Sequence, residues 1–85
     1  MIVKARDVAQ LSTGELIYVT SAVDQEHENV KNSPDDLFLG YRLRYSPVVD
    51  RWFYDSKNRT LEVNTMAEVV AVRTDIVIDY GHGNI

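Results

Sequence analysis

The stretch Leu37–Tyr45 reads LFLGYRLRY and alternates between two sets of side chains. Successive side chains of an extended strand point to opposite faces, so odd-numbered residues share one face and even-numbered residues share the other. The even face ends in Arg42 and Arg44. The pattern therefore predicts an antiparallel strand with its arginines turned to solvent and with one apolar face buried. That buried face would hold Leu37, Leu39, Tyr41, Leu43 and Tyr45, and the opposite face would hold Phe38, Gly40, Arg42 and Arg44.

A second pair of strands follows this stretch. Ser46 and Pro47 end the first strand, because proline lacks the amide hydrogen that a ladder needs. Residues 48–54 and 60–64 then alternate again, and they are separated by 55–58, which have turn-forming side chains. We predict that 48–54 and 60–64 pair with each other as a hairpin.

The upstream third of the chain is less regular. Residues 15–23 are rich in β-branched side chains and predict a strand after a turn at 12–14. Residues 2–11 fit either a strand at 2–5 with a short element after it, or a marginal helix over 4–11. Residues 24–36 carry five acidic residues, one lysine and a proline without apolar periodicity, so we expect an exposed loop there.

Two interpretations remain open for residues 65–73. Thr65 and Glu68 fit a capping box, which would start a helix that continues to about residue 73. The β-branched Val69, Val70 and Val72 instead favour a strand over 68–73. We favour the strand. In either case we expect another strand at 75–80 and a flexible tail at 81–85.

These elements predict a single mainly β domain over residues 1–85. The chain has 85 residues, of which 45% are hydrophobic and 26% charged, the balance of one small globular domain. Five or six short strands with frequent turns predict a small antiparallel barrel or sandwich, SH3-like or OB-like. An α+β arrangement with one short helix is the alternative.

The sequence offers little for catalysis or cofactor binding. Its two histidines, His27 and His82, lie in the acidic loop and the tail, so neither is expected to complete a metal site. No serine lies in a Gly-x-Ser-x-Gly setting, and the four glycines form no phosphate-binding motif. We therefore expect no enzyme, no cofactor and no metal. The lack of cysteine, of an apolar run of about 20 residues and of a signal peptide indicates a cytoplasmic protein.

Residues 40–60 stand apart from the rest of the chain in composition. They hold five of the nine basic residues and five of the eight aromatic residues. Their net charge is +3, whereas the remainder of the chain carries −7. Neither face of 48–54 is cleanly apolar, so at least one of Trp52, Phe53 and Tyr54 should stay partly exposed. The candidate partner-binding residues are Tyr41, Arg42, Arg44, Arg51, Trp52, Tyr54, Lys57 and Arg59.

Two functions fit this basic and aromatic region. Trp, Tyr and Arg are enriched at protein interfaces. This favours a non-enzymatic protein-binding module that occupies a surface of a larger partner or associates with itself. Small accessory or inhibitor proteins, including viral and mobile-element-encoded ones, have this profile. The alternative is a single-stranded nucleic-acid-binding barrel, since the same residues stack on bases and neutralise phosphates. We rank nucleic-acid binding second, because the net charge of −4 opposes approach to phosphate groups. Nothing indicates a membrane or a small-molecule substrate as the partner.

Overall fold

The described part of the chain is built almost entirely of β-strands. The computed structural model describes residues 1–22, 36–54 and 61–79. Within these ranges there are six strands and one 3₁₀ turn, and there is no α-helix. The elements are β1 (Val8–Leu11), β2 (Leu16–Ala22), β3 (Leu37–Ser46), β4 (Arg51–Tyr54), β5 (Glu62–Thr65), the 3₁₀ turn (Met66–Glu68) and β6 (Val69–Arg73).

The strands form one antiparallel sheet that returns toward its own start. Its order is β4-β3-β2-β1-β6, and β5 pairs with β3. In the order β6, β1, β2, β3 and β5, each strand is hydrogen-bonded to the next. The 3₁₀ turn then connects β5 to β6 along the chain, so the two ends of this series are joined. The prediction of a small, mainly β barrel or sandwich is confirmed.

Two hydrophobic clusters lie on opposite faces of this sheet. The inner core is made mainly of strand residues and includes two from outside the strands: Val3, Ala9, Leu11, Ile17, Val19, Phe38, Met66 and Val69. The outer core is smaller and centres on Val8, Leu16 and Leu43. Residues beyond β6 help to cover it, because Ile76 and Ile78 pack against this cluster. Both faces of the sheet are therefore partly buried.

β3 contributes to both cores, and this corrects the predicted assignment of its faces. Phe38 is 1% exposed and lies in the inner core, although the alternation placed it on the polar face. Leu37, which was expected inside, is 53% exposed. Leu43 is buried as expected, but in the outer core, and Tyr45 is exposed. The alternation of β3 is real, and a different face is covered at each end of the strand.

Gly40 permits the close approach of β2 to β3. It pairs with Val19 across the ladder. A Cβ at this position would collide with the backbone carbonyl of Tyr18 and with Cγ2 of Ile17. No larger residue fits unless β2 moves, so Gly40 is required by packing rather than by a turn.

The segment from β5 to β6 resolves the ambiguity at residues 65–73. Thr65 makes no side-chain cap hydrogen bond, and the helical stretch is limited to the single 3₁₀ turn that follows it. The favoured strand is confirmed at Val69–Arg73. Met66, inside that turn, is fully buried, and its sulfur accepts a hydrogen bond from the Val3 amide at 3.3 Å.

The predicted hairpin between 48–54 and 60–64 is wrong. Residues 47–50 form a turn, so β4 begins only at Arg51 and pairs with the Leu43–Ser46 end of β3. β5 pairs with the other end of β3, Leu37–Gly40. β4 and β5 therefore both pair with β3, at its two ends, and not with each other. Alternation identifies a strand but does not choose its neighbour, and that explains the error.

The remaining predictions have mixed outcomes. The strand expected at 15–23 is confirmed as β2. For residues 2–11 the structure has neither proposed form, since the only strand there is Val8–Leu11 and residue 6 adopts a positive φ of 76°. Residues 24–35 of the acidic loop, the turn at 55–58 and the tail at 81–85 lie outside the described residues.

Candidate functional site

Six of the eight candidate partner-binding residues lie on β3 and β4. Tyr41, Arg42 and Arg44 belong to β3, and Arg51, Trp52 and Tyr54 belong to β4. Lys57 and Arg59 lie outside the described residues. The ladder pairs Leu43 with Tyr54, Arg44 with Phe53, Tyr45 with Trp52 and Ser46 with Arg51.

This register separates Tyr41, Trp52 and Tyr54 from the arginines. Directly paired residues of an antiparallel ladder lie on the same face. Trp52 and Tyr54 therefore share the outer face with Tyr45, Leu43 and Tyr41. Arg44 and Arg51 project from the other face, the side on which Arg42 also lies. The structure thus places the rings of Tyr41, Trp52 and Tyr54 on one side of the hairpin and the three arginines, with Phe53, on the other.

On the outer face, three tyrosines stack on one another. The ring centroids of Tyr41 and Tyr54 are 5.1 Å apart with an interplanar angle of 10°. Tyr18 of β2 stacks on Tyr54 at 5.7 Å and 4°. All three side chains are half-buried, so these ring faces are used largely for packing. Sequence reasoning missed Tyr18, because its strand lies far from residues 40–60 along the chain.

On the other face, Arg42 is neutralised by two carboxylates. Its Nη2 lies 3.0 Å from Oε2 of Glu15 and 2.9 Å from Oε1 of Glu62. The two glutamates come from opposite sides of β3, one just before β2 and one on β5. Arg42 therefore links three neighbouring segments and adds little positive charge to the surface. Arg44 and Arg51 remain exposed.

The turn between β3 and β4 exposes an apolar tip. Val48 is 91% exposed and Val49 is 45% exposed, and Pro47 beside them is exposed as well. Tight turns are usually made from glycine, asparagine, aspartate or serine, so two valines and a proline at a tip are unusual. The sequence analysis had placed Val48 and Val49 inside a strand and did not single them out.

Contacts on both sides hold this turn in shape. The Tyr45 hydroxyl donates a hydrogen bond to Oδ1 of Asp50, across the turn. Nη1 of Arg51 donates to the Asp50 carbonyl oxygen at 3.1 Å. Asp50 has a φ of 53°, a conformation that aspartate and asparagine tolerate better than most residues. The hydrogen bond to Asp50, with a smaller effect of burial and of the nearby charge, raises the pKa of Tyr45.

Trp52 anchors the base of the tip. Its ring packs at a tilt against Tyr45, with centroids 5.3 Å apart and an interplanar angle of 58°. Its amide donates to the Val77 carbonyl at 3.2 Å, and its carbonyl accepts from the Asp79 amide at 2.9 Å. Trp52 and Tyr54 are half-buried and Phe53 is buried, so the expectation that at least one of the three stays partly exposed is confirmed. We call Tyr45, Pro47, Val48, Val49 and Trp52 the hairpin surface.

A shallow apolar groove lies at the opposite end of β3. Its volume is about 360 Å³ and its lining comes from three strands: Ser21, Ala22, Leu37, Phe38, Leu39 and Val63. Leu37 and Val63 are more than half exposed, at 53% and 58%. Sequence reasoning missed this groove, because it forms only where β5 pairs with the start of β3. We call it the β3–β5 groove.

Within residues 1–22, 36–54 and 61–79, no group of three or more histidine, cysteine, aspartate or glutamate side chains is placed to hold a metal ion. In the same ranges, no helix has the length and hydrophobicity needed to cross a membrane. No protein-family model, curated protein or solved structure matches this chain. Inferences about function therefore depend on the surfaces described above.

Proposed function

We propose that this domain is a non-enzymatic protein-binding module that works by docking its hairpin surface onto another protein surface. In this role it acts as a small accessory or inhibitor protein that binds a larger partner or a second copy of itself. The observation that carries the proposal is the exposed apolar tip, with Val48 at 91% exposure. The cytoplasm is the proposed location, since the chain has no cysteine.

The chemistry of the hairpin surface supports this proposal. Protein interfaces are enriched in Tyr, Trp and Arg, and their centres are aliphatic and aromatic anchors that fill pockets on the partner. Here Val48 and Val49 provide the apolar centre, and Tyr45 and Trp52 lie behind it at the ends of β3 and β4. The preorganised turn also lowers the entropy lost when the tip is immobilised by a partner.

The nucleic-acid alternative receives less support from the same geometry. Single-strand binders place stacking rings and positive charges along one groove, so that bases and phosphates are held together. In this chain Tyr41, Trp52 and Tyr54 lie on one face, and Arg44 and Arg51 lie on the other. The alternative predicts salt-sensitive binding of labelled single-stranded oligonucleotides that Trp52→Ala abolishes, measured by fluorescence anisotropy. A flat titration at low salt eliminates it.

The protein-binding proposal is tested with a matched pair of variants. Val48→Asp places a charge at the centre of the hairpin surface, whereas Val70→Asp makes the same change at an exposed valine of β6, at the other end of the strand order. A photo-crosslinking residue at position 45 or 49 in each background is activated in host extract, and the adducts are quantified by mass spectrometry. We expect adducts that Val48→Asp reduces at least about tenfold and Val70→Asp leaves unchanged.

Folding is checked in parallel by circular dichroism and thermal unfolding. Both valines are exposed, so each variant should retain wild-type stability to within about 0.5–1 kcal/mol. The proposal is overturned when both variants give the same adducts. It is also overturned when the wild type, monomeric by light scattering, gives no adducts above those of an unrelated bait.

A further inference from the structure

Two arginines on the hairpin face opposite the tyrosine stack are not neutralised by any described carboxylate. Arg44 and Arg51 are both exposed. Among the described residues, Arg42 and Arg73 form ion pairs with carboxylates, whereas Arg44 and Arg51 form none. Arg51 uses Nη1 to donate to the Asp50 carbonyl oxygen, which is an uncharged acceptor. This end of the face therefore carries two positive charges in a chain whose net charge is −4.

A serine hydroxyl lies next to both arginines. Ser46 pairs directly with Arg51, so the two side chains project from the same face. Arg44 precedes Ser46 by two residues on β3, which places it on that face as well and diagonal to Arg51. Diagonal neighbours of an antiparallel ladder are about 7–8 Å apart, so two long side chains can reach one small group between them. Ser46 is half-buried, and its hydroxyl can donate one hydrogen bond.

The aromatic ring on this face is closed to a ligand. Phe53 pairs directly with Arg44 and is 5% exposed. Stacking of a nucleobase needs an open ring. The described part of this face therefore offers positive charge and hydrogen-bond donors without a stacking surface, which fits an anionic group that is not attached to a base.

The number of donors favours a phosphate group over a carboxylate. A carboxylate has one negative charge and two oxygens, and one guanidinium group satisfies both oxygens in a bidentate pair. A phosphate monoester carries a charge of about −1.5 to −2 at pH 7 and has three strong acceptor oxygens. It can therefore accept hydrogen bonds from Arg44, Arg51 and the Ser46 hydroxyl at the same time.

We propose that Arg44, Ser46 and Arg51 bind the phosphate monoester of a phosphorylated serine or threonine on a protein partner. This inference rests on the proposed function and states the chemistry of the partner. Ser46 directly precedes Pro47 and Val48 of the exposed tip, so one segment of a partner can contact the tip and the arginines together. The tip provides the apolar contact, and the arginines select the phosphorylated form of the partner.

Binding is measured on the full chain by nuclear magnetic resonance of the arginine Nε–Hε groups. The probe is phosphoserine blocked at its amino and carboxyl groups, at about pH 7 and about 0.05 M salt, where screening is weak. We expect the Arg44 and Arg51 signals to shift along one saturating curve, with a dissociation constant of about 1–10 mM. Arg42 and Arg73 are ion-paired, so their signals should stay in place and serve as internal references.

Single substitutions then locate the site. Arg44→Gln and Arg51→Gln should each weaken binding at least about tenfold, measured on the signal of the remaining arginine, because each removes charge-assisted hydrogen bonds. Ser46→Ala should weaken it about two- to fivefold. Lys4→Gln removes an exposed positive charge outside β3 and β4, so this matched control should change binding by less than about twofold. Thermal unfolding verifies that each variant folds, as expected for changes at exposed side chains.

Three further probes identify the source of the anion. Blocked aspartate tests a carboxylate, inorganic phosphate tests a bare ion, and a thymidine oligonucleotide of about six nucleotides tests nucleic acid. We expect blocked aspartate to bind at least about fivefold more weakly than phosphoserine, because it has less charge and fewer oxygens. The oligonucleotide should bind no more tightly than phosphoserine, because no ring on this face is open for stacking.

Several results overturn the inference: no saturating shift with phosphoserine up to about 30 mM, equal shifts at Arg42 and Arg73, or binding unaffected by Arg44→Gln or Arg51→Gln. Aspartate that binds as tightly as phosphoserine, or an oligonucleotide that binds more tightly, also overturns it. Inorganic phosphate that binds where phosphoserine does not would indicate an adventitious ion only, and the inference would fail.

The proposed function fails separately, in the crosslinking experiment. Adducts that depend on Val48 but persist in full after the extract is treated with phosphatase retain the proposed function and overturn this inference. Phosphoserine binding at Arg44 and Arg51, together with adducts that Val48→Asp leaves unchanged, retains the phosphate site and overturns docking through the tip.

Discussion

At the Leu37 end of β3 the even-numbered side chains are buried, whereas at the Ser46 end burial moves to the odd-numbered side. Phe38 lies in the inner core with 1% of its surface exposed. Arg44, six residues further along β3 on the same face, is exposed. On the other face the order is reversed, since Leu37 is 53% exposed and Leu43 is 5% exposed. Both ends keep the same alternation.

The difference shows that burial in this small domain is set by what covers each stretch of the sheet. The inner face is covered at one end by the 3₁₀ turn and the N-terminal segment, through Met66 and Val3. The outer face is covered near Leu43 by residues after β6, through Ile76 and Ile78. Where neither layer reaches, the apolar side chains of the tip and the groove remain on the surface.

The largest expected effect comes from removing the inner anchor of β3. Phe38→Ala should lower the free energy of unfolding by about 3–5 kcal/mol, because it deletes a fully buried ring and leaves a cavity. Arg44→Ala, on the same side of β3 but exposed, should change it by no more than about 0.5 kcal/mol. Urea unfolding followed by far-UV circular dichroism measures both. Equal losses would mean that the two ends of this face do not differ in burial.

A smaller contrast is expected on the opposite face. Leu43→Ala should cost about 2–5 kcal/mol, since Leu43 belongs to the outer core. The identical change at Leu37 should cost less than about 1 kcal/mol, because more than half of that side chain is already in water. The measurement is made at low protein concentration, so that self-association does not contribute. A costlier loss at Leu37 would contradict the exchange of buried faces.

The smallest effect concerns the tip itself and depends on pH. Because Asp50 accepts a hydrogen bond from the neutral Tyr45 hydroxyl, the raised pKa of Tyr45 means that this contact stabilises the fold below the ordinary tyrosine pKa of about 10. The stabilisation is lost as pH rises through the pKa of the folded state. Asp50→Asn keeps the turn conformation and removes the charge, so it should bring the pKa of Tyr45 back toward the ordinary value.

Nuclear magnetic resonance titration of tyrosine labelled at Cζ follows that change, with Tyr45→Phe to assign the signal. The remaining tyrosines serve as internal references. An identical Tyr45 titration in wild type and Asp50→Asn would show that the hydrogen bond across the turn has no effect on the tip.

The sequence predicted the class of fold but not the partners of its strands. Alternation at Leu37–Tyr45 and β-branched residues at 15–23 indicated strands correctly, because both are local properties of the chain. The proposed pairing of 48–54 with 60–64 was wrong, since either segment could satisfy its hydrogen bonds along β3. For the candidate site, the sequence selected β3 and β4 but combined aromatic and basic residues that the register separates.

The exposed valines of the tip and the groove had no distinctive local signal. Val48 and Val63 read as ordinary strand residues, and their exposure depends on where β4 begins and on which strand β5 joins. Tyr18 likewise joins the tyrosine stack only because β2 lies beside β3.

By itself, the sequence determined that this is a small, mainly β domain whose basic and aromatic residues concentrate in one hairpin region. Side-chain alternation and turn chemistry operate over a few residues, so they can be read directly from the chain. The tertiary structure alone decided which face of β3 is buried at each end, which rings stack and which apolar groups stay exposed. Those outcomes depend on contacts between segments far apart in sequence, whose packing selects one arrangement among several with the same local pattern.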